Sequence, residues 1–331
     1  MPRSNFSPSS CLEMKEKAAR STAEIAFVIE AEAAAAMMKE WGVAVAPELL
    51  VALVPAALRL ARPPISNFHV GAVGLGTSGR IYVGVNMEFP GLPLHHSIHA
   101  EQFLVTNAAV HGETGIRCIA VSSAPCGHCR QFLQELRGAA EMQILVTSDG
   151  PGSAFLPLSS FLPRPFGPPD LLHKDHPLLL EPHDNKIALL DDEEETEAAG
   201  CGGICNGIGG ALQERLRAAA AGAARASHAP YSKCPAGFAV ADSEGRVYAG
   251  SYEESAAYNP SLGPVQAAMV AYVAAGGGGG RAGEGYGFVA AALVEPEGVA
   301  VSHEATARVF LSVVAPRAHL KVYRFHSSAA A

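Results

Sequence analysis

Cys126 and Cys129 lie in "APCGHCRQF", separated by a glycine and a histidine. Such a Cys-x-x-Cys pair serves as a redox couple, as half of a structural zinc knuckle, or as part of a catalytic metal site. Zinc takes thiolate sulfur and imidazole nitrogen, and a catalytic centre uses three protein ligands, leaving one position for water. The two cysteines supply two donors. His99, in "HAEQ", is the expected third, because it opens the helix that precedes the Cys-x-x-Cys by one strand. Both helix starts are then expected at one sheet edge, where their exposed N–H groups stabilise thiolates. Glu101 follows His99 by two positions, and such residues do not share a helix face. A His99 aimed at a metal leaves Glu101 poorly placed as a fourth ligand but well placed beside the open position. Two thiolates and a neutral imidazole bring a zinc site near zero formal charge. A neighbouring carboxylate can then accept a proton from a water whose pKa falls from about 16 to roughly 7.

The other readings explain less. A redox pair needs a thioredoxin-like context and leaves "HAE" without a purpose. A zinc knuckle needs four ligands, and the sequence has no second Cys-x-x-Cys. A non-catalytic zinc scaffold has no use for Glu101. His128, between the cysteines, reads as a helix-start or packing residue, since the three-ligand set is complete without it. His95 and His96 fall in a loop, facing solvent or lying just behind the site. Cys201 and Cys205, in "CGGIC", read as free thiols. Cys118 alternates with apolar residues and reads as core.

These residues need a scaffold. "FHVGAVGL" (68–75) and "RIYVGVN" (80–86) read as strands joined by the turn "GTSG" into a hairpin. "SIHAEQFLVTNAAVHG" (97–112) reads as a helix stopped by Gly112. "RCIAVSS" and "MQILVTS" are strands flanking the helix "CGHCRQFLQELRG". Strands alternating with helices predict a sheet covered by helices on its faces. Upstream, 21–41 reads as a helix with a capping box at Ser21 and Glu24. Residues 47–61 read as a second helix with Pro47 in its first turn and a kink at Pro55.

The hairpin recurs. "APYSKCPAGFAVADSEGRVYAGS" (229–251) lies on "RPPISNFHVGAVGLGTSGRIYVGV" (62–85), with Pro230 on Pro64, Ser232 on Ser66, Gly237 on Gly71, Arg246 on Arg80, Tyr248 on Tyr82 and Gly250 on Gly84. That is the mark of an internal duplication. The copies then diverge: "SIHAEQ" in the first faces "LGPVQAAM" in the second, and no second Cys-x-x-Cys helix follows. The expected layout is a disordered tail (1–20), N-terminal helices (21–61), a zinc-bearing domain (62–180), an acidic linker (181–200) containing "DDEEETE", and a copy without the metal (201–331). "GGGGG" (276–280) reads as a flexible loop in that copy.

The chain has 331 residues, 24 Lys and Arg against 32 Asp and Glu, and a net charge of −8. No basic cluster stands out, which argues against long nucleic acid as a partner. No uninterrupted apolar run approaches a membrane span, and the N-terminal residues lack the apolar core of a secretory signal. Seven cysteines in so long a chain do not form a disulfide framework. A reducing, cytoplasmic setting is expected.

His-x-Glu followed by Pro-Cys-x-x-Cys is the signature of zinc deaminases. With "PPISNFHVGAV", "YVGVNMEF", "SSAPCGHCRQFLQEL" and "LPRPFGPPDL", the sequence resembles the cytidine deaminases, specifically their larger dimeric kind from enteric bacteria and plants. The resemblance runs from about residue 22 to the end. It implies a duplicated three-layer α-β-α sandwich, with an N-terminal catalytic half and a C-terminal half that lost its zinc. It also implies a homodimeric hydrolase of pyrimidine salvage that turns free cytidine and 2′-deoxycytidine into the corresponding uridines and ammonia, without nucleic-acid or membrane partners. By the same resemblance His99, Cys126 and Cys129 bind Zn2+, and Glu101 shuttles protons. Asn86 and Glu88 hold the ribose 3′-hydroxyl, Phe68 packs on the pyrimidine, and the backbone at Ala100 and Ser123 reads the base edge. Phe166 resembles a ring that covers the base from the partner subunit. A polynucleotide-editing deaminase shares the zinc motif and remains the alternative. "NMEF", suited to a free nucleoside, and the acidic charge are what distinguish the two.

Overall fold

The computed structural model describes residues 25–150, 152–190, 209–278 and 286–326. The N-terminal tail, the Ser21–Glu24 capping box, the acidic run at 191–197, Cys201, Cys205 and the end of the Gly-rich run lie outside the described residues. The chain divides into two compact units. The first comprises Met1–Phe89, Leu94–Glu181 and a short piece, Ser255–Pro260; the second comprises Pro90–Pro93, Pro182–Glu254 and Ser261–Ala331.

The first unit opens with strand β1 (Val28–Ile29) and helices α1 (Ala31–Trp41) and α2 (Ala46–Leu60). Of the helix expected over 21–41, the described residues 25–30 are not helical and the helix begins at Ala31. Phe27, Val28 and Ile29 are aromatic and β-branched, types that favour strands. They pair with strand β3 (Ile81–Val85), Val28 opposite Tyr82 and Ile29 opposite Ile81. Helix α2 has Pro47 in its first turn, as expected, and runs continuously through Pro55. Strand β2 (Gly71–Gly76) starts later than its apolar run suggested, because the residues before it form a braced loop.

Helix α3 (Ala100–Val110), strand β4 (Ile116–Val121), the short helix α4 (Gly127–Phe132) and strands β5 (Gln143–Val146) and β6 (Leu156–Pro157) complete the sheet, in the order β1-β3-β2-β4-β5-β6. Helices α5 (Leu158–Phe161) and α6 (Pro168–Leu171) follow as single turns. Strands β2 and β3 are buried along their whole length, as strands covered on both faces are. Two glycines show how the cover fits. A β-carbon at Gly71 would lie 2.7 Å from the Leu58 nitrogen in α2, and one at Gly84 would lie 2.1 Å from the Ala100 oxygen in α3. Gly84 pairs with Ala72, the neighbour of Gly71, so the two glycines face opposite sides of the sheet. Helix, sheet and helix therefore form three layers.

Strands β3 and β4 are both antiparallel to β2, so they run the same way. Their C-terminal ends share one sheet edge with the residues that enter β2. That topology gathers residues 66–70, 86–88 and 122–126 without any further instruction.

The second unit repeats the plan: helix α7 (Gly210–Arg225), strands β7 (Gly237–Asp242) and β8 (Val247–Ser251), helix α8 (Pro264–Ala274), strand β9 (Phe288–Pro296), helix α9 (Glu304–Val314) and strand β10 (His319–Phe325). Its sheet order is β10-β9-β7-β8. Gly237 and Gly250 again meet helix backbone, at 2.2 Å from the Ala220 oxygen and 2.1 Å from the Ala268 nitrogen. Even the register shift recurs, between Leu75 and Gly76 in one sheet and between Ala241 and Asp242 in the other. The core here is smaller in side chain, built on Leu216, Ala220, Ala224, Ala239, Ala292 and Phe325. No single described helix is long and apolar enough to cross a membrane.

Candidate active site

His99 is the N-cap of α3 and Cys126 the N-cap of α4, both with extended backbone. They are held close because α3 lies directly on Gly84 and α4 follows the next parallel strand. The Nδ1 atom of His99 lies 3.4 Å from Cys126 Sγ and 3.3 Å from Cys129 Sγ, and the sulfurs are 3.7 Å apart. Among the described residues these three form the one group of His, Cys, Asp and Glu donors compact enough to hold a metal ion. Tetrahedral zinc, with Zn–S near 2.3 Å and Zn–N near 2.0 Å, separates its ligand atoms by about 3.5–3.8 Å. The donor set therefore fits zinc in both chemistry and spacing.

The two thiols are held unequally: the hydrogen bond to Cys126 and burial push the Cys129 thiol up, and Cys126 is the acidic one. A hydrogen bond from Cys129 and another from His99 hold the Cys126 thiol down to about 3. Glu101 is buried, and burial pushes its carboxyl above the usual range. Cys118, by contrast, is pushed up to about 11 by burial in β4, as an inert core thiol should be.

A cavity of about 320 Å³ opens over this cluster. Its walls include Cys126, His99, Ala100, Glu101 and Ser123, together with Asn86, Glu88, Phe68 and Ser66. Phe68 stands 60% exposed at the rim. Asn86 accepts from the Val70 N–H at 2.9 Å and donates to the Phe68 carbonyl at 2.8 Å. Glu88 accepts from the N–H groups of Ile65 and Ser66, both at 2.8 Å, and from the Ser66 hydroxyl at 2.5 Å. Burial raises its pKa, but these hydrogen bonds outweigh it and leave the carboxyl below its usual range.

All eight residues singled out by the sequence, His99, Cys126, Cys129, Glu101, Asn86, Glu88, Phe68 and Ala100, thus lie in or around one pocket. Phe166, half exposed, does not line it.

A family model described as cytidine and deoxycytidylate deaminase zinc-binding region matches residues 46–146, and a second model of the same description matches 158–308. Cytidine deaminase 1 of Arabidopsis thaliana is 51% identical over 311 residues, which cover 91% of this chain and 98% of that protein. The chain belongs to the cytidine and deoxycytidylate deaminase family. Cytidine deaminase 6 of the same plant is 49% identical over 83% of this chain and 91% of its own. A cytidine deaminase from Yersinia pestis is 42% identical over 67% of this chain and 66% of its own. A solved cytidine deaminase from Mycobacterium tuberculosis, 29% identical, covers 38% of this chain and 99% of its own with a TM-score of 0.33.

Within this deaminase chain the second unit carries different residues at the matched positions. Gly263 is the N-cap of α8 where His99 is the N-cap of α3, and Val265 stands where Glu101 does. Helix α9 joins β9 to β10 where α4 joins β4 to β5, but α9 has no cysteine.

Several supporting residues escaped the sequence reading. Arg130 donates to the Pro125 carbonyl at 2.7 Å and to the Phe161 carbonyl at 3.0 Å, tying down the turn into Cys126. The Gln102 side chain accepts from the His99 N–H at 3.4 Å and donates to the Pro260 carbonyl at 3.0 Å. Glu135 accepts from the Ala256 N–H at 2.7 Å, so the 255–260 piece is fixed at both ends. His128 stacks on His99 with centroids 5.2 Å apart, and so packs against a donor without joining the cluster. Of the histidine pair, His95 is exposed, His96 is buried, and neither lines the cavity.

Proposed function

We propose that the chain deaminates free cytidine and 2′-deoxycytidine hydrolytically, giving uridine and 2′-deoxyuridine plus ammonia. The observation that carries this is the junction of two half-sites in one cavity: a two-sulfur, one-nitrogen donor set with a buried carboxylate, and an amide–carboxylate pair suited to a sugar hydroxyl.

His99, Cys126 and Cys129 would hold zinc. Zinc, when bound, supplies a Lewis acid that makes water a nucleophile near neutral pH. Glu101 takes the proton from that water and delivers it to N3 of the pyrimidine. Oxygen then bonds to C4, which becomes tetrahedral. Glu101 then takes the proton of the new C4 hydroxyl and passes it to the amino group; the C4–N bond breaks, the C4 carbonyl forms, and ammonia leaves. Burial suits Glu101 to this work, because it raises the carboxyl's pKa and so makes the group readier to hold a proton between transfers. The Phe68 ring lies on the base, the backbone at Ala100 reads its edge, and Asn86 and Glu88 receive the 3′-hydroxyl. A contact at that hydroxyl makes no distinction between ribose and 2′-deoxyribose.

The proposed setting is a cytoplasmic homodimer serving pyrimidine salvage. The four described cysteines are free thiols, in keeping with a reducing compartment. Ammonia release is to be measured on cytidine, 2′-deoxycytidine, cytosine, CMP and a single-stranded oligonucleotide, each with and without a zinc chelator. Chelator-sensitive turnover of the two nucleosides alone supports the reading. Turnover of the oligonucleotide alone would overturn it.

A further inference from the structure

The Ser66 hydroxyl sits between two parts of the cavity. It donates to Glu88 Oε1 at 2.5 Å and accepts from the Phe68 N–H at 3.1 Å. Both of its roles are therefore committed. The other carboxylate oxygen, Oε2, already receives two N–H donors, from Ile65 and Ser66. A carboxylate oxygen has two acceptor positions. Oε2 is full, and Oε1 keeps one position beyond the Ser66 hydroxyl. The Phe68 backbone is held on both sides, its N–H by Ser66 and its carbonyl by Asn86.

The second unit contains the control. There Glu254 accepts from the N–H of Tyr231 at 2.8 Å, from the N–H of Ser232 at 3.1 Å, and from the Ser232 hydroxyl, which in turn accepts from the Cys234 N–H at 3.0 Å. The residue between serine and ring position is left-handed in both copies: Asn67 at φ 56° and Lys233 at φ 59°. The serine–glutamate brace is thus a device for shaping a loop, and it is present where Gly263 and Val265 stand at the positions of His99 and Glu101. In the first unit the same brace forms a wall of the cavity.

We infer that Ser66 is a positioning residue for substrate specificity: it fixes the one free acceptor of Glu88 relative to Phe68, and so sets the preference for a nucleoside with a 3′-hydroxyl. This rests on the sugar contact proposed above. Ser66 touches neither the metal donors nor Glu101 in this role, so its effect belongs to discrimination rather than to the chemical step.

The test compares kcat/KM for cytidine and 3′-deoxycytidine in the wild-type holoenzyme, Ser66→Ala, Ser66→Thr and Ser232→Ala. Wild type favours cytidine. Ser66→Ala lowers that preference by about tenfold, the worth of one hydrogen bond to a charged group. Ser66→Thr keeps the hydroxyl and restores it. Ser232→Ala lowers the melting temperature and leaves the preference intact. Should Ser66→Ala not fold, Ser66→Cys, whose thiol is a weak donor, carries the same comparison. If wild type does not distinguish the two nucleosides, the sugar contact itself is wrong and the inference falls with it. If wild type distinguishes them and Ser66→Ala does so equally, only the role of Ser66 is overturned. A uniform loss on both substrates has that same meaning.

Discussion

Gly84 and Ala100 touch so closely that a β-carbon on the glycine would lie 2.1 Å from the alanine carbonyl oxygen. This contact seats the first turn of α3 on the sheet, and His99 and Glu101 with it. Backbone cannot yield as a flexible side chain can. Gly84→Ala is expected to cost about 3 kcal/mol of stability, together with a lower zinc content per folded chain. Gly250→Ala meets the Ala268 nitrogen at the same 2.1 Å and should cost a similar amount while leaving zinc content unchanged. Denaturant melts with metal analysis on both variants decide the point. Equal zinc in the two would detach the site from this contact.

Glu101→Gln preserves size and hydrogen-bonding shape but cannot ferry protons. It should keep about one zinc per chain and lose turnover by about a thousandfold or more. Wild-type turnover in this variant would remove Glu101 from the proton path.

Metal binding and folding are coupled. At a zinc concentration about a hundred times Kd, the metal stabilises the chain by about 2.7 kcal/mol. A chelator should remove that increment from the wild-type protein and change nothing in Cys129→Ala. Arg130→Lys should keep the charge but lose the forked grip on Pro125 and Phe161. Competition with a chelator should then show zinc affinity about tenfold weaker. Unchanged affinity would mean that the turn into Cys126 holds its shape unaided.

Glu113 reaches from the end of α3 into the β2–β3 turn. It accepts from Thr77 Oγ1 at 2.7 Å, from the Ser78 hydroxyl and from its own neighbour's N–H at Thr114. Burial works against its charge, but these donors prevail and hold it at about 2. A carboxyl lowered by folding stabilises fully above its unfolded pKa, near 4.5, and that stability drains away as pH falls towards 2. Glu113→Gln should therefore be less stable at pH 7, by on the order of 2 kcal/mol, and should depend less on pH between about 5 and 3. Urea midpoints across that range measure both. Parallel pH dependence in the two proteins would contradict the assignment.

The metal donors and the duplication were readable in the sequence because each is written in residue types that chemistry rarely accepts in substitute. Cys126, Cys129, His99 and Glu101 are such residues, and so are the paired glycines at 71 and 84. Ser66, Gln102 and Arg130 were not readable. They are ordinary polar residues whose distant partners, the Glu88 carboxylate and the carbonyls of Pro260 and Phe161, are brought near only by the fold. One signal was present: Ser232 aligns with Ser66 across the repeat. The first helix was overextended for a related reason. Its alanine-rich second half masks Val28 and Ile29, whose strand partners on β3 lie far along the chain.

The brace that appears twice has a consequence for reading this protein's history. One chain carries its own two-line alignment. Features present in both lines, such as the serine, the glutamate, the left-handed backbone just after the serine and the helix-seating glycines, mark what the architecture demands, even where, as at Ser66, the first half also turns them to the substrate. Features confined to the first line mark what the reaction demands. Substitutions made in matched pairs, one in each half, can therefore partition every defect into a failure of construction or a failure of catalysis, with the silent half as the reference within the same molecule.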